Sequence, residues 1–150
     1  MGAPYDHVAV CVSGGPADER VVAHAADLRD ATSAERLSVV HVADVPPAVL
    51  TDPTLAGTGY GMSPVDPQPF MEGSRRLVEA IAAPLAGATP VLIDGGHPAS
   101  AVCEWAAGAG CDLLVAGSHR GLWERVTLGS FASHLAHHAP CSILLVRPAG

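Results

Sequence analysis

The segment HVAVCVSGGPADERVV, residues 7–22, decides the fold of this chain. Its first part, residues 7–12, is short, mostly apolar and rich in β-branched side chains, and Ser13 to Pro16 end it, so the pattern predicts a buried strand. Val21 and Val22 then start an apolar repeat with helical spacing, and acidic residues in the first turn suit the positive end of a helix dipole. The segment therefore predicts a strand that is followed directly by a helix.

The same strand and helix unit recurs along the rest of the chain, because continuous aliphatic runs alternate with segments of helical spacing. Residues 46–70 interrupt this alternation with a proline-rich and glycine-rich stretch that has no period, which we interpret as a functional or mobile loop. Continuous aliphatic strands that alternate with helices predict a mostly parallel sheet covered by helices on both faces. The predicted strands are 7–12, 36–45, 89–96, 111–118 and 141–148, and the predicted helices are 17–33, 70–87, 98–110 and 129–140.

The composition of the chain limits its size class and its partners. With 150 residues, of which 49% are hydrophobic, we expect a single globular domain over residues 1–150. The formal net charge is −7, so attraction to nucleic acid or to an anionic membrane is not expected. No apolar run approaches the roughly 20 residues of a membrane span, and the amino terminus lacks the pattern of a signal peptide, so we expect a cytoplasmic protein.

Two glycine-rich junctions are the candidate ligand site. In open parallel sheets, ligands bind outside the carboxyl ends of the strands, where the strand order reverses, and this directs attention to Ser13 to Pro16 and to GSHRGLWERVTLGS, residues 117–130. Glycine allows close approach to the backbone, and amides at a helix start bind anions. The common nucleotide fingerprints are absent, and glycine and serine also form turns and caps. The pattern alone leaves a phosphate site and a surface turn as alternatives.

Several reactive residue types carry no expected chemistry. Ser118 and His119 are adjacent, and neighbours in sequence seldom face each other as a nucleophile and a base, so no catalytic residue is expected. The three histidines at 134, 137 and 138 lack further ligand types at metal-binding spacing, and we interpret them as a solvated helix face with no metal. Cys11, Cys103, Cys111 and Cys141 form no C-x-x-C pair and are interpreted as structural thiols. Trp105 is expected in the core.

Three segments in this order point to a known family: VCVSGGPADERVV, then CDLLVAGSHRG leading into LGS, then HHAPCSILLVRP. In these segments the sequence resembles the universal stress protein family, and the likeness runs through nearly the whole chain. The resemblance implies an α/β, Rossmann-like fold with an open five-stranded parallel sheet in the order 3-2-1-4-5. It also implies a homodimer joined along the last strand, from Ile143 to Val146, whose apolar edge invites pairing with another chain.

Many members of that family bind ATP through a loop of the form G-x2-G-x9-G-[ST]. Carried over by position, the resemblance implies a site for ATP or a related adenine nucleotide, with Mg²⁺ as a companion ion. The residues that it places at the nucleotide are Ser13, Gly14, His41, Val42, Gly117, Ser118, His119, Arg120, Gly121, Gly129, Ser130 and Phe131.

Two positions depart from the family pattern. Ser13 stands where nucleotide-binding members have an aspartate, so the carboxylate of that position is missing. The loop is one residue short, and Arg120 occupies the place of the second glycine, where its guanidinium either binds a phosphate or fills the socket. The expected function is nucleotide-dependent regulation of an unidentified protein partner in a stress response, with at most weak ATP hydrolysis. The alternative is a dimeric interaction module that does not bind nucleotide.

Overall fold

The computed structural model describes residues 4–43, 68–118 and 129–147. Within these ranges strands and helices alternate, as the sequence predicts. The elements in chain order are β1 (His7–Cys11), α1 (Asp18–Thr32), β2 (Arg36–Val42), α2 (Gln68–Ala82), β3 (Ala88–Ile93), α3 (Pro98–Ala109), β4 (Leu113–Gly117), α4 (Ser130–His138) and β5 (Ser142–Val146).

The five strands form one parallel sheet in the order β3-β2-β1-β4-β5. In this sheet Val8 of β1 lies opposite Leu37 of β2 on one side and Leu113 of β4 on the other. The chain therefore winds outward from β1 to β3 and then returns to the other side of β1 with β4. The strand order reverses between β1 and β4, which is the position where ligands of such sheets bind. The predicted fold class and strand order are confirmed.

Helices cover both faces of the sheet, and this explains why the strands are continuously aliphatic. Successive side chains of a strand point to opposite faces, so Val8 and Val10 enter one core while Ala9 between them enters the other. The first core is completed by Val21 of α1 and Val78 of α2. The second core contains Val102 and Ala106 of α3 and Leu135 of α4.

Polar contacts connect the amino ends of the strands, which lie at the end of the sheet opposite to the candidate site. The Asp112 carboxylate accepts the backbone amides of Asp6 and His7, both at 2.9 Å. The His7 ring lies within 2.8 Å of the Ser38 hydroxyl through Nε2. Burial, followed by the nearby Arg36 charge, lowers the pKa of His7 from its ordinary value. These contacts join β1 to β2 and to the residue before β4, and they have a structural role.

The structure corrects some of the predicted boundaries. Helix α2 begins at Gln68 and ends at Ala82, whereas the spacing predicted residues 70–87. Pro84 explains the early end, because proline disfavours helical backbone at the residue before it and cannot continue the hydrogen-bonded ladder. Trp105 is half-buried and packs against the second core, in line with the expected core position, and its indole meets the His7 ring edge-on at a centroid distance of 5.8 Å. No helix in the described ranges is long and apolar enough to cross a membrane.

Candidate functional site

A pocket of about 290 Å³ opens at the carboxyl ends of β1, β2 and β4. We call it the central pocket, because it lies where the strand order reverses. The predicted location of the site therefore coincides with a cavity. Its lining residues are Cys11, Val12, Ser13, Ala17, Asp18, Val21, His41, Val42, Pro98, Val102, Gly117, Ser118 and Phe131.

Most of the wall of the central pocket is apolar. Val42 comes from the end of β2, Pro98 and Val102 from the first turns of α3, and Phe131 from the start of α4. These four residues belong to three elements that the fold brings to one edge of the sheet. An apolar cleft with a few fixed polar groups is the usual architecture of a small-molecule site, in which the polar groups set orientation.

His41 is one of these polar groups. Its side chain is buried, and its Nδ1 lies 2.8 Å from the backbone carbonyl oxygen of Val12. A carbonyl oxygen only accepts, so the ring must donate through Nδ1, and the neutral imidazole then carries a lone pair on Nε2. His41 thus lines the pocket with its ring held by a backbone contact to the chain directly after β1.

The turn between β1 and α1, residues 13–15, is held by Asp18. The carboxylate of Asp18 accepts the amide of Gly14 at 2.6 Å and the amide of Ser13 at 3.0 and 3.1 Å. Gly14 has a φ of +86°, a conformation that side chains rarely adopt, which explains why glycine occupies this position. Position 13 lacks the carboxylate of the family pattern, but Asp18 of α1 brings a carboxylate to the same turn.

The end of β4 is tied into the sheet and packed against α1. The Ser118 amide donates to the Val146 carbonyl oxygen at 3.0 Å, and the Ser118 hydroxyl donates to the same oxygen at 3.4 Å. A Cβ at Gly117 would lie 3.3 Å from Cγ2 of Val21, so the close approach of α1 gives this glycine a packing role. The backbone amide of Ser118 therefore has a hydrogen-bond partner within the protein.

The start of α4 is the third border of the site. Gly129 is the N-cap residue and has no side chain to satisfy the amides of the first turn, while its carbonyl accepts the Ser133 amide at 2.9 Å. Its φ of −54° is an ordinary value, so this glycine is not required by backbone conformation. The amides of the first helical turn have no partner within the helix and carry the positive end of its dipole, which suits an anion.

The predicted site residues divide into three groups. Six of them line the central pocket: Ser13, His41, Val42, Gly117, Ser118 and Phe131. Three others are described but lie beside the pocket in the β1–α1 turn or at the start of α4: Gly14, Gly129 and Ser130. The predictions for His119, Arg120 and Gly121 fall outside the described residues. A binding role for each of the twelve stays a prediction.

Sequence reasoning missed Asp18 and most of the apolar wall. In the sequence Asp18 is one of two acids in the first helical turn, although a carboxylate four or five residues after Gly14 and Ser13 can reach back to their amides. Val12, Pro98 and Val102 have no chemical signature, because an apolar pocket residue and a core residue look the same in a sequence. Only the fold shows that these positions face the cavity.

Histidines also gather where α3 meets α4. The rings of His97 and His134 have a centroid distance of 5.3 Å, and those of His134 and His138 a distance of 4.4 Å. Loss of hydration, followed by the neighbouring histidines, lowers the pKa of His134 from its ordinary value. By solvent exposure His134 is half-buried at the contact of α3 and α4, whereas His137 and His138 are exposed. In the described part of the chain no group of three or more His, Cys, Asp or Glu side chains could hold a metal ion.

The four cysteines are free thiols that lie in or against the second core. Burial, followed by the neighbouring Cys141, raises the pKa of the Cys111 thiol to about 12. Burial also raises the pKa of Cys103. These thiols stay protonated near neutral pH, and the thiolate is the reactive form of cysteine.

Comparisons with known proteins agree with this architecture. The model of the universal stress protein family matches residues 4–147. A universal stress protein family structure from Burkholderia pseudomallei is 24% identical, with a TM-score of 0.69 and coverage of 99% of this chain and 100% of that one. No curated protein sequence matches the chain.

Two similar structures are complexes with a nucleotide. A universal stress protein in complex with cAMP is 21% identical, with a TM-score of 0.61 and coverage of 97% of this chain and 98% of that one. The universal stress protein from Archaeoglobus fulgidus in complex with dAMP is 19% identical, with a TM-score of 0.57 and coverage of 94% and 97%. At these identities the likeness shows the shared fold.

The parallel sheet in the order 3-2-1-4-5 defines a Rossmann-like α/β fold, and the central pocket lies at its switch point. The match over residues 4–147 then identifies the family: this chain belongs to the universal stress protein family.

Proposed function

We propose that this chain binds an adenine nucleotide, ATP or a close relative, in the central pocket and acts as a nucleotide-responsive regulator in a stress response. The observation that carries the proposal is the position of the pocket, an apolar cleft at the switch point of the sheet that borders the start of α4. Related proteins that were solved with cAMP and with dAMP support an adenine nucleotide as the ligand class.

The walls of the pocket suit the two halves of a nucleotide. The apolar side chains of Val42 and Val102 offer a surface for a flat purine ring. In its neutral form His41 can accept a hydrogen bond at Nε2 from the exocyclic amine of adenine. In our proposal the phosphates bind at the first turn of α4, and the free amides expected at a helix start, those of Ser130 and Phe131, support this. In this proposal Arg120 adds a guanidinium to the phosphates.

Regulation requires that the nucleotide bind two conformations of the protein with different affinity, because a ligand shifts an equilibrium only by that difference. In our proposal the occupied and the empty protein differ in their affinity for a protein partner, which binds the segment between β4 and α4. Mg²⁺ accompanies ATP as a counterion of the phosphates. Hydrolysis is not required for this mechanism.

Isothermal titration calorimetry with ATP, with and without Mg²⁺, tests the proposal. We expect saturable binding to the wild-type protein and loss of binding in Gly129→Val, because a β-branched side chain crowds the approach to the first turn of α4. Gly108→Ala is the matched control, since Gly108 lies in α3 with nothing within 4 Å of an added Cβ. The absence of binding at millimolar ATP would leave the alternative, an interaction module that works without nucleotide.

We also propose that two copies of the chain associate through β5. In the described residues β5 pairs only with β4, so its other edge carries unpaired backbone groups. Ile143, Leu144 and Leu145 on this strand are half-buried. Pairing with a second copy covers these side chains and satisfies the edge. Sedimentation equilibrium measures the mass directly: a dimer is expected at micromolar concentration, and a monomer at all concentrations would refute the pairing.

A further inference from the structure

We propose that Asp18 is the specificity-determining residue of the central pocket: its carboxylate keeps ligand phosphates away from the β1 end and thereby fixes the orientation of the ligand. The orientation of the ligand rests on the proposed nucleotide binding. The exclusion of anions from the β1–α1 turn is independent of that proposal, because it follows from the contacts of Asp18 alone.

The turn itself has the geometry that binds anions in other proteins. Successive backbone amides that converge on one point form a concave nest for a phosphate or a carboxylate. In this chain the amides of Ser13 and Gly14 converge in this way, with Gly14 at a φ of +86°. The anion that they hold is the side chain of Asp18, which belongs to the protein.

The contacts of Asp18 leave the turn with no donor for a ligand. Oδ1 accepts the Ser13 amide at 3.0 Å and the Ser13 hydroxyl at 3.2 Å, while Oδ2 accepts the Gly14 amide at 2.6 Å. The remaining amide, that of Gly15, donates to the Ser13 hydroxyl at 3.3 Å. A carboxylate offers about four acceptor positions, so both oxygens of Asp18 are close to fully used.

Asp18 also lines the central pocket, and this connects the closed turn to ligand choice. A phosphate at this end would meet a carboxylate at short range and would find the nearby amides occupied. Among the described lining residues there is no lysine or arginine to offset that repulsion. At the opposite border the N-cap of α4 is Gly129, which has no side chain, and among the described residues no acid lies in the first turn of this helix. The phosphates of a nucleotide are therefore directed to α4, and the uncharged part faces Asp18.

A test that needs no nucleotide uses inorganic pyrophosphate as the probe and the amide NMR signals of Ser13 and Gly14 as the readout. In wild-type protein we expect no saturable shift at millimolar pyrophosphate. In Asp18→Ala the freed amides should shift saturably. Glu19→Gln is the matched control, because it removes the same charge from the next residue, which is exposed and does not line the pocket. A saturable shift in the wild type, or none in Asp18→Ala, would overturn the proposal.

Asp18→Asn is a second variant, which keeps the test available if Asp18→Ala does not fold. It removes the charge and keeps one acceptor oxygen, and we expect it to show the pyrophosphate shift more weakly than Asp18→Ala. Unchanged signals in a folded Asp18→Asn would count against the proposal in the same way.

Calorimetry with adenosine and ATP tests the orientation. We expect Asp18→Ala to bind ATP several-fold more tightly than the wild type, because the freed amides of Ser13 and Gly14 offer the phosphates a second binding mode and repulsion across the pocket is lost, and to bind adenosine within about twofold of it. Equal effects on the two ligands would refute the orientation while leaving nucleotide binding intact. If the wild type binds neither ligand, the proposed function fails, and the pyrophosphate experiment still decides whether Asp18 excludes anions.

Discussion

Replacing Gly14 with alanine tests the turn on which the site depends. Gly14 has a φ of +86°, and left-handed backbone costs a residue with a side chain about 1–2 kcal/mol. An added Cβ would also lie 3.3 Å from Cδ2 of Leu77, a side-chain end that can move by the few tenths of an ångström needed. Alanine restricts the unfolded chain, which offsets roughly 0.5 kcal/mol of this loss. We expect a net destabilisation of about 1 kcal/mol or slightly more.

Gly108→Ala gives the opposite sign and serves as the internal control. Gly108 lies inside α3, its φ is not positive, and nothing lies within 4 Å of an added Cβ. Alanine there should stabilise the protein by about 0.5–1 kcal/mol through helix propensity. The two variants should therefore differ by roughly 2 kcal/mol, which corresponds to about 4–8 °C in Tm for a domain of this size. Differential scanning calorimetry measures the difference. Equal shifts in the two variants would refute the reasoning about the turn.

Two further predictions concern titratable groups. Burial lowers the pKa of His7 below 6.5, so the native state binds fewer protons than the unfolded state in acid, and the free energy of unfolding should fall as the pH drops below 6.5. Urea unfolding should show a loss of at most about 1.4 kcal/mol per pH unit from this group, and His7→Gln should reduce the slope. Cys111, with its pKa raised to about 12 mainly by burial, should react slowly with iodoacetamide in the native protein and rapidly after unfolding. Mass spectrometry of the modified peptide checks this, and equal rates would contradict it.

The elements that sequence reasoning predicts best are those with a strong local pattern. Strands β1 and β4 are continuous aliphatic runs ended by glycine or serine, and the structure confirms both. The sheet order came from the family resemblance, because the residues of one strand do not indicate which strands lie beside it. The end of α2 was placed too late, although Pro84 marks it, because the apolar spacing continues past the proline.

Sequence reasoning predicts the place where a pocket lies but not the side chains that build most of its wall. The switch-point rule and the glycine junctions point to the ends of β1 and β4, where the pocket lies. The role of Asp18 depends on the conformation of the β1–α1 turn, which determines whether its carboxylate reaches the amides of Ser13 and Gly14. Likewise, the sequence predicts that Gly117 is a ligand-binding glycine. The structure shows in addition that Val21 packs closely against it.

The most direct test of the nucleotide proposal is a crystal structure of the protein from crystals soaked in saturating ATP. The account predicts adenine in the central pocket beside Val42, with its amine near Nε2 of His41, and phosphates at the first turn of α4. It also predicts that the Asp18 carboxylate keeps its contacts to Ser13 and Gly14. An empty pocket in crystals soaked to saturation, or phosphates bound to the amides of Ser13 and Gly14, would contradict the account.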